Sequence, residues 1–278
     1  MRPFRLLLIA IIVLALPRIG TGQTFTTVPD ESGLRELATA DAGRGWEAVG
    51  RLNLGRNGFC TGALIEPQIV LTAAHCLFDR TTGAPFPVAE IEFLAGWRNG
   101  RAAAYRGVRR AVAHPNYRFG EDGVVDRVMF DIALLELDQP IRLPSIRPFD
   151  IDFEARAGDR VGVVSYARER AEAPSLQELC HVLGRQDGVL VLSCEVDFGA
   201  SGAPIFSMQH GTPRIVSVIS AKAELQARKV ALGTSLRDQL NDLRRAMALG
   251  EARFIRHGEA ATLGGDNRPE IGARFLRP

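Results

Sequence analysis

Thr72-Ala73-Ala74-His75-Cys76 in the first third of the chain and Phe198-Gly199-Ala200-Ser201-Gly202-Ala203-Pro204 in its last third decide the reading of this sequence. Each sets one reactive side chain in a frame of small residues. Between them, Asp131-Ile132-Ala133-Leu134-Leu135 places a carboxylate at the head of an apolar run. A serine hydroxyl is a weak nucleophile at neutral pH and needs a base within hydrogen-bond reach. An imidazole supplies that base, because its ordinary pKa lies near physiological pH. A carboxylate then holds the ring in the right tautomer and stabilises its cation. Base, acid and nucleophile together are the apparatus of acyl transfer. Asp126 and Asp138 stand near Asp131 as rival acids, but neither opens an apolar run of this kind.

Outward from these stretches, short apolar runs recur between Gly, Pro and Asn turn signals. They cover 62–65, 69–72, 91–94, 108–112, 132–137, 161–166, 189–192 and 215–220. Many short strands without intervening helices predict an all-β sandwich or barrel. The Pro- and Arg-rich stretch Pro140 to Asp150 reads as a connection between two halves. His75 and Asp131 then belong to the first half and Ser201 to the second, with the site between them. One helix stands out: Leu236, Leu240, Leu243 and Met247 recur at helical spacing and form a core-facing stripe. Ser235 or Thr234 is placed to cap its start and Gly250 to end it. Residues 250–278 show no period and predict a disordered tail.

Met1 to Arg5 is basic, Leu6 to Leu16 is apolar but too short to span a bilayer, and Gly20-Thr21-Gly22 offers small residues for cleavage. Residues 1–22 therefore read as a secretory signal, 23–45 as an N-terminal extension or propeptide, and 46–249 as the ordered domain. The expected location is periplasmic or extracellular, with no membrane attachment once the signal is removed. A formal charge of +2 gives no electrostatic ground for a nucleic-acid or anionic-membrane partner. The four cysteines of an exported chain predict two disulfides, for which the sequence alone leaves three pairings open. No CxxC or histidine cluster accompanies them, so neither a metal site nor a cofactor is expected. His114 reads as structural, His181, His210 and His257 as surface residues, and Glu121, Asp122 and Asp126 as a solvated loop rather than a calcium site.

In the order His, Asp, Ser, and in the segments quoted above, the chain resembles the trypsin/chymotrypsin-like serine peptidases over about residues 46–249. That resemblance implies two six-stranded antiparallel β-barrels of chymotrypsin type with a C-terminal helix. The first barrel would cover about 46–145, the second about 146–233 and the helix about 235–249. It implies a triad of His75, Asp131 and Ser201, with the backbone N–H groups of Gly199 and Ser201 as oxyanion donors. It selects the pairings Cys60–Cys76 and Cys180–Cys194. It also implies protein or peptide substrates, no cofactor and a monomer.

The chain departs from the family pattern in places. Ala200 precedes the serine where animal trypsins carry an Asp that receives the new N-terminal amine after zymogen cleavage, and the Ile-Val-Gly-Gly start is missing. Both departures lean toward bacterial secreted members, relatives of the glutamyl endopeptidases, and predict that this activation switch is absent. Glu195, six residues before Ser201, stands where trypsins carry the pocket acid, yet the cysteine usual four before the serine is missing. Lys222, beside Ser220 and Ala221 on the other wall, offers the opposite preference. Beside an endopeptidase stand two alternatives: a catalytically silent binding protein on the same fold, and a quality-control protease-chaperone. Residues 251–278 are too few for the peptide-binding domain of the latter.

Overall fold

The computed structural model describes residues 33–56, 58–120, 124–209, 211–250 and 273–275. The expected signal segment 1–22, together with Glu121, Asp122, His210 and His257, lies outside them.

In chain order the strands of the first half are β1 (Arg35–Glu36), β2 (Val49–Leu54), β3 (Gly58–Glu66), β4 (Ile69–Thr72), β5 (Ile91–Ala95), β6 (Ala104–Ala113) and β7 (Ala133–Leu137), with helix α1 (Val124–Met129) before β7. The second half contains β8 (Arg160–Ala167), β9 (Arg170–Gln186), β10 (Val189–Leu192), β11 (Pro204–Ser207), β12 (Arg214–Leu225) and β13 (Arg228–Ser235). Helix α2 (Arg237–Ala248) and the short strand β14 (Ala273–Phe275) follow. Strands β2-β3-β4-β7-β6-β5 close one antiparallel barrel, and β9-β10-β13-β12-β11-β8 close another through the β8–β9 pairing. The fold is all-β with two closed six-stranded barrels and a C-terminal helix. Register shifts at Leu64/Glu66, Val108/Arg110 and Ile219/Ala221 bend the strands, as closure of so small a barrel requires.

The core of the first barrel continues into the seam between the barrels. There the ring of Phe206 lies 5.0 Å from Trp46 and 4.7 Å from Phe149, joining β11 to the residues before β2 and to the inter-barrel connection. The α2 stripe behaves as its spacing predicts: Leu236, Leu240, Leu243 and Met247 are all buried. At about 1.5–3 kcal/mol per buried side chain, this stripe is what holds the helix. It packs back onto the first barrel, where Arg110 donates to the carbonyl of Met247 at 2.9 Å and Arg244 pairs with Glu66. The chain therefore straps its second half to its first.

Four expectations need correction. Residues 35–45 are not a loose extension: β1 pairs with β9 and Leu37 is fully buried, so the folded region begins before Trp46. Part of the expected tail is in the sheet, since β14 pairs with Ala223–Leu225 of β12. Neither Ser235 nor Thr234 caps α2: the Ser235 hydroxyl accepts from Arg185, and that of Thr234 donates to the carbonyl of Val128. The segments between strands are also not free of helix, because α1 precedes Asp131.

Candidate active site

Strand β4 runs into a single 3-10 turn, Ala74–Leu77, that carries His75. Cys76 on this turn is bonded to Cys60 on β3, which ties the turn to the barrel wall. Asp131 sits between α1 and β7, 2% exposed. Its carboxylate accepts the backbone N–H of His75 on Oδ1 at 2.8 Å and meets His75 Nδ1 on Oδ2 at 2.6 Å. The hydroxyl of Ser220 donates to the same Oδ2 at 2.5 Å. An ionised carboxylate only accepts, so this contact places the proton on Nδ1 and leaves Nε2 as the basic nitrogen.

Ser201 lies on the turn before β11, and the first barrel fixes that turn. The N–H of Thr61 donates to the carbonyl of Ser201 at 2.8 Å, and its hydroxyl donates to the carbonyl of Gly199 at 2.9 Å. Thr72 in turn donates to the carbonyl of Thr61, and Thr61 Oγ1 accepts the N–H of Tyr166. The glycines flanking the serine are dictated by backbone shape. Gly199 has φ +99° and Gly202 φ +77°, a region L side chains rarely occupy. A Cβ on Gly199 would lie 2.3 Å from the Phe59 ring, and one on Gly202 would lie 2.1 Å from the Thr72 hydroxyl. Ala200 N–H bonds to the carbonyl of Asp197. Neither the N–H of Gly199 nor that of Ser201 has an acceptor among the described residues.

His75, Asp131 and Ser201 line one cleft of about 340 Å³ with Arg80, Tyr117, Phe119, Arg127, Val196, Asp197, Phe198 and Ile219–Lys222. The three residues singled out by the sequence are thus brought to one place. The pocket readings fare differently. Ser220 and Ala221 line the cleft, but Ser220 also holds Asp131, a role its sequence context did not signal. Glu195 is exposed and is not among the residues that line the cleft; its N–H bonds to Gln177 Oε1, next to the Cys180–Cys194 disulfide. Lys222 does line it, though it is already paired with Asp197 at 2.9 Å. Asp197 had no motif to reveal it. Burial pushes its carboxyl up, but the bond from Lys222 and the N–H of Phe198 outweigh this and hold it below the usual range.

Among the described residues, the remaining histidines and thiols do not form a second centre. His114 is buried, stacks on Phe130 at 4.8 Å, and accepts from the N–H of Asn116. Burial lowers its pKa to about 4, against a small opposing pull from Asp242. Cys60, His75 and Cys76 cluster closely, but both sulfurs are in the disulfide, which leaves no thiolate to hold a metal. Ala200 is buried. The backbone N–H of Trp46 bonds to the carbonyl of Gly43 within the ordered N-terminal segment.

Residues 39–188 match the family model described as Trypsin. The chain is similar to the modular serine protease of Drosophila melanogaster, 34% identical over 101 residues, which is 35% of this chain and 16% of that protein. It is also similar to coagulation factor IX of Cavia porcellus, 30% identical over 126 residues, 44% of this chain and 41% of that protein. It therefore spans less than half the length of either relative. Among solved structures, a Glu endopeptidase superposes with a TM-score of 0.63 at 16% identity, over 80% of this chain and all of the other. At that identity the likeness speaks to the fold alone.

Proposed function

The chain belongs to the trypsin family, and from that premise we propose that it is an exported serine endopeptidase acting through His75, Asp131 and Ser201. The observation that carries this reading is the Asp131–His75 pair in the cleft that Ser201 lines, together with the unengaged N–H groups of Gly199 and Ser201. His75 Nε2 takes the proton of the Ser201 hydroxyl as Oγ attacks the scissile carbonyl carbon. The carbonyl oxygen becomes an oxyanion and accepts from the two backbone donors, each worth about 10²–10³ in turnover in sites of this kind. Collapse breaks the C–N bond, and the imidazolium returns its proton to the leaving amine. Water then attacks the acyl-enzyme, with His75 again as base and Ser201 as leaving group.

Two disulfides fit an oxidising compartment, and no described helix is long and apolar enough to cross a membrane. Substrates are proteins or peptides, which fits the protease relatives. Because Ala200 offers no carboxylate, activation does not run through an N-terminal ion pair beside the serine. The test uses a diverse peptide library with cleavage sites read by mass spectrometry, comparing the unaltered protein with Ser201→Ala. Cleavage by the parent alone is expected. Equal cleavage by both, or failure of a serine-directed phosphonate to label Ser201, removes this reading and favours a silent binding protein.

A further inference from the structure

Strand β12 contributes Ile219, Ser220, Ala221 and Lys222 to the lining of the cleft that holds His75 and Ser201. One edge of this strand pairs with β13 from Ser217 to Leu225, apart from the register shift at Ser220. The other edge pairs with β11 up to Val218, and Ile219 exchanges backbone hydrogen bonds with Gly202 and Ala203. Pairing on that edge resumes at Ala223, where β14 takes over. Ser220, Ala221 and Lys222 lie in between, with no backbone partner on that edge among the described residues. A strand edge left open inside a cleft is a template for an extended peptide, because its N–H and C=O groups stand ready to pair.

Strand β14 leads a peptide into that gap. It is antiparallel to β12, with Ala273 opposite Leu225, Arg274 opposite Glu224 and Phe275 opposite Ala223. Each residue onward in the chain therefore moves one residue back along β12. That direction leads toward Ile219, whose carbonyl accepts from Gly202 next to Ser201. We propose that residues 276–278 dock in the gap as a strand that mimics substrate, with Leu276 opposite Lys222, Arg277 opposite Ala221 and Pro278 opposite Ser220. Three residues fill a three-residue gap. Pro278 lacks an N–H, which an edge strand tolerates. A tethered segment competes at an effective concentration of about a millimolar, so even a weak contact keeps the gap filled. The consequence rests on the peptidase reading above: the chain shields its own cleft, and a substrate strand must displace residues 276–278 to reach Ser201. The docking itself does not depend on that reading.

The first test is geometric and uses the full chain. Residues directly opposite on antiparallel strands have Cα atoms about 4.5–5.5 Å apart, within reach of a disulfide. Ala221→Cys with Arg277→Cys should therefore crosslink on mild oxidation, with peptide mapping identifying the new bond and the two native disulfides. Ala221→Cys with Ala273→Cys should not, since Ala273 lies opposite Leu225, about 13 Å further along β12. The second test labels Ser201 with a phosphonate that carries a short peptide arm. Leu276→Pro with Arg277→Pro leaves no N–H on residues 276–278, and labelling should become about tenfold faster while thermal unfolding is unchanged. No bond to position 277, equal bonding by both pairs, a bond formed only between two molecules, or equal labelling rates overturns the proposal. Labelling of neither protein removes the peptidase reading instead, and the crosslink then still decides whether the segment docks.

Discussion

The two sides of the cleft are built to different standards. On the His75 side, a nearly inaccessible carboxylate is held by a backbone N–H, an imidazole and a hydroxyl, and a disulfide ties down the turn that presents the ring. On the Phe198 side, one ion pair and a set of cations on a ring do the holding, with the Asp197 side chain 47% exposed. Exposed pairs of this kind contribute little, typically about 0–1 kcal/mol. On the proposed peptidase reading, chemistry falls to the rigid wall and substrate contact to the more loosely held one. Rate should be sensitive to changes that barely touch recognition, and recognition to changes that barely touch stability.

The largest test of that contrast is Asp131→Asn. It preserves shape but presents the wrong hydrogen-bonding face to His75, and kcat should fall by about 10⁴ with the fold retained, the scale seen for this exchange in a trypsin-type triad. A loss under tenfold would break the comparison. Gly202→Ala comes next: positive-φ strain and a clash with Thr72 and the Thr61 carbonyl should cost more than about 3 kcal/mol, read by denaturant unfolding. Removing either disulfide should cost about 3 kcal/mol, as expected for loops of 16 and 14 residues. The two losses should differ in kind. Without Cys60–Cys76 activity should fall at every substrate, whereas without Cys180–Cys194, just before Phe198, substrate preference should blur.

His114, packed beside Phe130 on the rigid side, sharpens the contrast through pH. Burial lowers its pKa from the ordinary 6.5 to about 4, so the unfolded chain takes up the proton first on acidification. Its contribution is complete above about pH 6.5 and is lost progressively down to about pH 4, amounting to at most about 3 kcal/mol. Unfolding midpoints measured across that window should flatten in His114→Gln. The smallest effect is expected from ending the chain at Gly250. Among the described residues beyond Gly250, β14 contributes an edge pairing to β12, and stability should stay within about 0.5 kcal/mol.

Strand-rich architecture was legible because alternating and continuous apolar runs end at Gly, Pro and Asn. The runs at 69–72 and 189–192 coincide with β4 and β10, and the run at 132–137 covers β7 with one residue to spare at its start. β9 escaped notice: Pro174 and the mixed stretch Leu176 to Arg185 give no clean period, and only pairing with β8 and β10 makes that segment extended. β1 and β14 are two and three residues long, too short for any pattern. The α2 stripe was readable, but its capping was not, because Ser235 and Thr234 found tertiary partners that outcompeted the helix end.

What the sequence determined by itself is the set of positions where local geometry tolerates few residue types. Gly199 and Gly202 must turn with positive φ at close quarters, His75 and Ser201 bring reactive atoms in small-residue frames, and the helix stripe must face a core. What only the tertiary structure decided is the pairing of groups far apart in the chain. The sequence separations of 89 between Asp131 and Ser220, and of 25 between Asp197 and Lys222, are closed by barrel topology and a register shift at Ser220. Glu195 and Lys222 were indistinguishable as pocket residues along the sequence. Lys222 lines the cleft and Glu195 is not among its lining residues, a difference set by how strand β12 and the loop before Ser201 pack and not by any neighbour in the chain.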